Sequence, residues 1–172
     1  TGDAAKAAAH RVVAEGADVI DIGGVKAGPG QDVDAAEETA RVVPFIEWLR
    51  DTFPDQLISV DTWRAEVAKQ ACAAGADLIN DTWGGHDPDL AGVAADFGAG
   101  LVCSHTGGAV PRTRPFRVNY GISERGVVDD VVAEVTAAAE RAVSLGVRRD
   151  GILIDPTHDF GKNTYQGLSL LR

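Results

Sequence analysis

A short phrase that recurs along the chain constrains the fold more than any other feature. GADVIDIGG at Gly16–Gly24 returns as GADLINDTWGG at Gly75–Gly85 and, in outline, as GAGLVCSHTGG at Gly98–Gly108. Each copy opens with Gly-Ala, continues as a short apolar run, and ends in polar residues followed by two glycines. Because glycine favours the position just past a helix end, the phrase predicts a helix stop, a tight turn and a buried strand.

The stretches around these phrases predict alternating helices and strands. We expect helices at 3–15, 34–51, 64–74, 87–97 and 126–145, strands at 18–22, 57–60, 78–79, 101–103 and 152–154, and the start of a last helix at 168–171. Pro44 should kink or split the second helix, because proline lacks the N–H that the helix needs. The strands are continuous apolar runs, which is typical of a parallel sheet covered by helices.

Two architectures fit five strands that alternate with helices. Eight units at this spacing make the roughly 250 residues of a parallel (β/α)8 TIM barrel. We therefore expect a single α/β domain over 1–172 that forms roughly units two to six of such a barrel and is truncated at both ends. A flavodoxin-like five-stranded sheet is the alternative. In both folds, ligands bind at the carboxyl ends of the strands.

Composition excludes several classes of partner. The formal net charge is -10 and the sequence pI is about 4.7, which argues against nucleic-acid and anionic-membrane binding. No apolar run approaches the roughly 20 residues of a membrane span. Two cysteines do not make a secreted disulfide framework. We expect a soluble, cytoplasmic protein.

Polar residues follow the predicted strands at the ends where ligands bind. They are Asp21, Asp61, Asn80 with Asp81, His105 and Asp155. Any one of them, such as Asp61, could instead cap the following helix. Several such positions in register on one face favour a ligand site. Carboxylates suit a heterocycle with an N–H beside an exocyclic NH2, because one carboxylate accepts two parallel hydrogen bonds.

Four ordered motifs resemble the dihydropteroate synthase family over essentially the whole chain. They are ISVDT at 58–62, GADLIND at 75–81, the strand-end His105, and DPTHDFGK at 155–162. The resemblance implies a (β/α)8 barrel that joins a dihydropterin diphosphate to p-aminobenzoate and releases pyrophosphate with Mg²⁺ present, usually as a homodimer. It also implies a pterin site at Asp61, Asn80 and Asp155, with Asp155 holding the donor edge of the pterin. His105 and Lys162 are expected to be additional pocket residues.

The loop after the first strand of the chain departs from the family. There the family continues its two glycines with Glu-Ser-Thr-Arg-Pro-Gly, which helps to hold p-aminobenzoate and the diphosphate. This chain instead has Val25, Lys26, Ala27, Gly28, Pro29 and Gly30, a segment that we call the altered loop. A single lysine does not reproduce the planar fork that arginine offers to an anion.

Two further loops also differ from the family. Asp159 places a carboxylate near the expected diphosphate site, where it would repel that ligand unless a cation bridges them. Thr106-Gly107-Gly108 replaces a segment that usually carries methionine and further polar residues. We therefore expect a retained pterin pocket with impaired or absent synthase activity. An active synthase and a pterin-dependent methyltransferase are the alternatives.

Three other groups of residues have two interpretations each. His86, His105 and His158 lie near aspartates and could be metal ligands, but their spacing matches no standard zinc pattern, so no metal site is predicted. Trp63 and Trp83 either wall the pocket or pack in the core. A basic group in the long loop after the fourth strand is either a solvated surface or an anion contact that replaces the lost arginine; its members are Arg112, Arg114, Arg117 and Arg125.

Overall fold

The computed structural model describes residues 2–113, 118–120 and 126–171. Its helices are Gly2–Ala14 (α1), Ala35–Thr52 (α2), Ala65–Ala73 (α3), Leu90–Phe97 (α4), Gly126–Ser144 (α5) and Thr164–Ser169 (α6). Its strands are Val19–Gly23 (β1), Leu57–Asp61 (β2), Leu78–Asp81 (β3), Gly100–Ser104 (β4) and Ile152–Asp155 (β5). Among the described helices, none is both long and apolar enough to cross a membrane.

The five strands form one parallel sheet in the order β1-β2-β3-β4-β5. Consecutive strands are therefore neighbours, as in a (β/α)8 barrel, and the chain forms part of such a barrel. A flavodoxin-like sheet has the order 2-1-3-4-5. The flavodoxin-like alternative is wrong.

Four helix ends share one geometry, which explains the recurring phrase. The glycine N–H donates to the carbonyl three residues back, and the next N–H donates to the carbonyl five residues back, at 2.9–3.1 Å. This is the Schellman motif, whose glycine needs a positive φ. The glycines are Gly16, Gly75, Gly98 and Gly146, with φ of 87°, 116°, 64° and 108°. The fourth copy is concealed in the sequence because valine, not alanine, follows Gly146.

The two faces of the sheet differ in chemistry. Side chains alternate between faces along a strand, so the register assigns each residue to one of them. The outer face packs against the helices through fully buried residues such as Ile58, Val60 and Ile79. The opposite face, which we call the inner face, carries the polar residues of the strands: Asp21, Ser59, Asp61, Asn80, Ser104 and Asp155.

Two helices differ from the sequence expectation in ways that the structure explains. Pro44 does not split α2, which runs unbroken from Ala35 to Thr52. Its buried residues pack on the sheet, and this packing outweighs the one hydrogen bond lost at proline. The last helix begins at Thr164, not at Leu168. The side chains of Asn163 and Gln166 each accept the other's backbone N–H at 2.9 Å, a capping box that fixes the earlier start.

Candidate functional site

Asp61 and Asn80 lie side by side at the carboxyl end of the inner face. They are register partners on β2 and β3. The Asp61 Oδ1 accepts a hydrogen bond from the Thr82 hydroxyl at 2.9 Å, and Asn80 Nδ2 donates to Asp21 Oδ2 at 3.0 Å. Asp21, Asp61 and Asn80 therefore form one continuous polar surface.

Asp61 does not cap the helix that follows it, so the capping interpretation of this residue is wrong. The N-cap position of α3 is Arg64, whose side chain makes no capping hydrogen bond. The carboxylate of Asp87 does so instead, because its Oδ2 accepts the N–H of Ala65 at 2.8 Å. The local structure of α3 thus gives no reason for a carboxylate at Asp61.

The environment of Asp61 perturbs its acidity. The pKa of Asp61 is raised from 3.8 to about 6, mainly by burial; the hydrogen bond from Thr82 opposes this rise, and the nearby Asp21 carboxylate contributes to it. The group is mostly ionised at neutral pH and titrates just below it. A carboxylate on this surface can accept hydrogen bonds from the N–H groups of a ligand.

Asp155 lies on the same face, two strands away from Asn80. It pairs with Ser104, two residues beyond the Val102 that pairs with Asn80. Its Oδ1 accepts the N–H of Thr157 at 2.7 Å, which fixes the start of the loop after β5. The register therefore places all three expected pterin residues on the inner face, with Asp155 nearest to the loops.

His105 and Lys162 lie apart from that surface. The fully buried His105 ring sits between β4 and α5. The Lys162 ammonium donates to the backbone carbonyls of His105, Thr157 and Phe160 at 3.1, 2.9 and 2.9 Å. Burial lowers its pKa from 10.5 to about 8. Lys162 thus ties the loops after β4 and β5 together, and a pocket role for either residue stays a prediction.

Asp81 stabilises a turn on the outer face. Its Oδ1 accepts the N–H of Trp83 at 3.2 Å, and its Oδ2 accepts that of Gly85 at 2.6 Å. Burial raises its pKa from 3.8 to about 6, and those hydrogen bonds oppose the rise. Asp81 therefore has the same perturbed acidity as Asp61 but faces the other side of the sheet.

The tryptophans beside the strand ends are part of the interior. Trp63 and Trp83 are 8% and 1% exposed. Their rings meet edge to face at 6.5 Å, and Trp83 meets Phe160 in the same way at 4.9 Å. They fill the space beneath the loops, as the core-packing interpretation predicts.

The altered loop starts from a tightly packed glycine and then opens to solvent. The Gly24 carbonyl accepts a hydrogen bond from Arg41 Nη1 at 2.7 Å, and a Cβ on Gly24 would lie only 2.9 Å from the Val42 side chain. Beyond it, Lys26 and Pro29 are exposed. The start of the loop is therefore fixed by packing, while its changed residues reach the surface.

Arg112 approaches the altered loop from the loop after β4. Its side chain is 14% exposed, and Nη1 lies 4.0 Å from Asp32 Oδ1. Its Nη2 lies 3.2 Å from the position that a Cβ on Gly30 would take. A cavity of about 790 Å³ lies between the two loops and borders Pro29 and Gly108. The other basic residues of this group, Arg114, Arg117 and Arg125, lie outside the described residues.

The backbone of Arg112 is unusual for its residue type. Its φ is 61°, in the left-handed region that non-glycine residues seldom adopt. Its buried Nε has no hydrogen-bond partner among the described residues. Such strain at a buried cation is typical of functional sites.

Two carboxylates that sequence reasoning missed converge on His105. Its Nε2 lies 2.9 Å from Asp130 Oδ2 and 3.3 Å from Glu134 Oε2. Both carboxylates belong to α5 and lie four residues apart, hence on one side of the helix. The four-residue spacing of these carboxylates is visible in the sequence, but only the fold shows that they lie next to His105.

The Mg²⁺ that the resemblance implies has no ligands assigned among the described residues. Magnesium is usually held by one or two carboxylates together with water and substrate phosphates, so it does not need a cluster of three protein ligands. Within the described part of the chain, the group of three side chains with converging donor atoms contains the His105 imidazole. Mg²⁺ binding stays a prediction, and no step of a reaction is assigned to it.

Comparison with known proteins identifies the family. The family described as "Pterin binding enzyme" matches residues 2–172. "Inactive dihydropteroate synthase 2" of Mycobacterium leprae is 75% identical over 170 residues, which cover 99% of this chain and 58% of that protein. The protein of the same name from Mycobacterium tuberculosis is 73% identical over 169 residues, covering 98% and 53% respectively. The chain thus spans just over half the length of these relatives.

A solved structure resembles the fold closely. It is the dihydropteroate synthase of Anaplasma phagocytophilum with bound 6-hydroxymethylpterin-monophosphate, with a TM-score of 0.88 and 26% identity. The match covers 97% of this chain and 66% of that one.

Proposed function

Since the chain belongs to the pterin-binding enzyme family as a dihydropteroate synthase homologue, we propose that its inner face binds a pterin while synthase activity is impaired or absent. This proposal rests on the difference between two neighbouring parts of the site, the polar surface of the inner face and the altered loop. The polar surface of Asp61 and Asn80 is complete, whereas the altered loop beside it has neither the hydroxyls nor the arginine that the resemblance leads us to expect.

The inner face has the chemistry to recognise a pterin. The pterin ring presents N–H and NH2 donors along one edge, and a carboxylate accepts such a pair through two parallel hydrogen bonds. We assign that contact to Asp155, with Asp61 and Asn80 completing the ring contacts. Binding of 6-hydroxymethylpterin-monophosphate by the Anaplasma phagocytophilum protein, which shares the fold, supports this assignment.

The changes in the altered loop affect the departure of pyrophosphate, the leaving group of the synthase reaction. In the synthase reaction, the amine of p-aminobenzoate attacks the pterin methylene carbon, and the C–O bond to the diphosphate breaks as pyrophosphate departs. The negative charge that develops there must be stabilised by cationic groups held in place beforehand. Lys26 is exposed, so it is a poor substitute for a fixed guanidinium. The resemblance also leads us to expect the Asp159 carboxylate near the same ligand.

The names of similar proteins agree with a loss of activity. Two relatives at 75% and 73% identity are each named "Inactive dihydropteroate synthase 2". Since the chain spans just over half of their length, the activity of the full-length protein is part of the proposal. We further propose a single barrel domain that forms a cytoplasmic homodimer, as the family resemblance implies.

One observation favours an active synthase as the second candidate. Arg112 brings a largely buried guanidinium to the edge of the altered loop. A guanidinium there could bind the diphosphate or the carboxylate of p-aminobenzoate in place of the lost arginine. Such a rebuilt site would keep the reaction and change only the residue that stabilises the anion.

Pterin binding by the full-length protein tests the proposal, with 6-hydroxymethylpterin as the fluorescent ligand. Asn80→Ala should weaken binding about two- to tenfold, since each lost hydrogen bond is worth about 0.5–1.5 kcal/mol. Glu66→Ala, an exposed substitution on α3, is the matched control and should leave affinity unchanged. Absence of saturable binding by the unmodified protein, or equal affinity of the two variants, would refute a pterin site on the inner face.

A further inference from the structure

The cluster of His105, Asp130 and Glu134 lies apart from Asp61, Asn80 and Asp155, the residues assigned to the pterin. His105 follows β4, and its ring is fully buried, while the two carboxylates project from α5 and are 41% and 50% exposed. One donor atom from each of the three side chains lies within 4.8 Å of the other two. We propose that this cluster binds a divalent transition-metal ion such as Zn²⁺.

The spacing of the donor atoms suits first-row metal coordination. Zinc binds imidazole nitrogen and carboxylate oxygen at about 2.0–2.2 Å. Two such ligands lie about 3.0 Å apart at a right angle and about 3.4 Å apart at a tetrahedral angle. The observed separations of His105 Nε2 from the carboxylate oxygens of Asp130 and Glu134 are 2.9 and 3.3 Å.

The charges of the cluster also favour a cation. Two carboxylates whose oxygens converge repel each other, and one neutral imidazole N–H does not neutralise both. A divalent ion on Nε2 would neutralise both carboxylates. The ring would then carry its proton on Nδ1, which has no hydrogen-bond partner among the described residues, and this lowers the affinity.

The donor set selects the class of metal. An imidazole with two carboxylates suits Zn²⁺ and its first-row neighbours, whereas Mg²⁺ and Ca²⁺ prefer oxygen ligands alone. The half-exposed carboxylates let water complete the coordination. The Lys162 ammonium donates to the backbone carbonyl of His105 and lowers the affinity for a divalent ion by repulsion.

A metal here has a structural consequence for the altered site. It would connect His105, the residue that follows β4, to the first half of α5. The loop between these two elements carries Arg112, so the ion would fix both ends of the segment that brings a guanidinium to the altered loop. The site is thus a structural clamp, separate from the pterin surface.

Metal titration of the full-length, untagged protein after removal of metals with a chelator tests the proposal. Added Co²⁺ should bind at one ion per chain and develop visible d–d absorption, and Zn²⁺ should displace it. Asp130→Asn and Glu134→Gln should each weaken Co²⁺ binding about tenfold or more, since even a lost outer-shell contact costs 10–100-fold in affinity. Asp129→Asn and Glu140→Gln are the controls on the same helix, and both leave the cluster intact.

Thermal unfolding provides the second measurement. Zn²⁺ should raise the unfolding midpoint of the unmodified protein and of the two controls, and should leave that of Asp130→Asn and Glu134→Gln unchanged. The substitutions replace the half-exposed carboxylates and leave the buried His105 in place, so the fold should be retained. Far-UV circular dichroism verifies this. Absence of saturable Co²⁺ binding by the unmodified protein would overturn the proposal, as would equal binding by cluster and control variants.

Discussion

Protonation of Asp61 should control pterin affinity between pH 5 and 7. Burial raises the pKa of this carboxyl to about 6, and only its ionised form can accept hydrogen bonds from ring N–H groups with both oxygens. A group with this pKa is about 90% ionised at pH 7 and about 10% ionised at pH 5. Affinity should therefore be complete above the pKa and be lost as the pH falls through it, by about tenfold, or about 1.4 kcal/mol.

The assay compares the unmodified protein with Asp61→Asn over that pH range, using fluorescence of bound 6-hydroxymethylpterin. The amide keeps an oxygen for the Thr82 hydroxyl but does not ionise, so the variant should bind weakly and with a smaller dependence on pH. Asp81→Asn is the matched control, because Asp81 has a similar pKa but lies on the outer face. Identical pH profiles for the unmodified protein and Asp61→Asn would refute contact between Asp61 and the pterin.

Three further substitutions have definite expected outcomes. Arg64→Met should lower the free energy of unfolding by about 3–5 kcal/mol, because it leaves the buried Glu38 carboxylate unpaired. Urea denaturation measures this loss. The double variant with Arg64→Met and Glu38→Met should recover most of the lost free energy of unfolding, and failure to do so would contradict this explanation. Gly161→Ala should destabilise by more than the roughly 1–2 kcal/mol of a left-handed residue, because its Cβ would lie 2.4 Å from a backbone carbonyl oxygen. Gly108→Ala has similar φ but open space, so equal losses for the two variants would contradict the role of that contact. For the second candidate, an active synthase with a rebuilt anion site, Arg112→Ala should weaken pyrophosphate binding measured by calorimetry about tenfold, and unchanged binding would remove that candidate.

The alternation of strands and helices is predictable from sequence because its causes are local. The glycines that end the helices and the apolar runs that follow them act within a few residues. The order of the strands also follows, since consecutive units of a parallel barrel are neighbours. The inner-face position of Asp61 and Asn80 depends only on the period of two residues along a strand.

What the sequence does not reveal depends on contacts between distant segments. Asp87 caps α3 from the next loop, a relation that no local pattern contains. Arg112 meets the altered loop although about eighty residues separate them. His105 meets Asp130 and Glu134 only because α5 packs over the end of β4. The start of α6 was predictable, since Asn163 and Gln166 have the spacing of a capping box.

Pyrophosphate release by the full-length protein tests the central claim most directly. The substrates are 6-hydroxymethyl-7,8-dihydropterin diphosphate and p-aminobenzoate, and the comparison is with a variant in which Val25-Lys26-Ala27-Gly28 is replaced by Glu-Ser-Thr-Arg. We predict little or no turnover by the unmodified protein, together with retained pterin binding, and a gain of turnover in the variant. Ready turnover by the unmodified protein would contradict the claim that the altered loop has impaired this synthase.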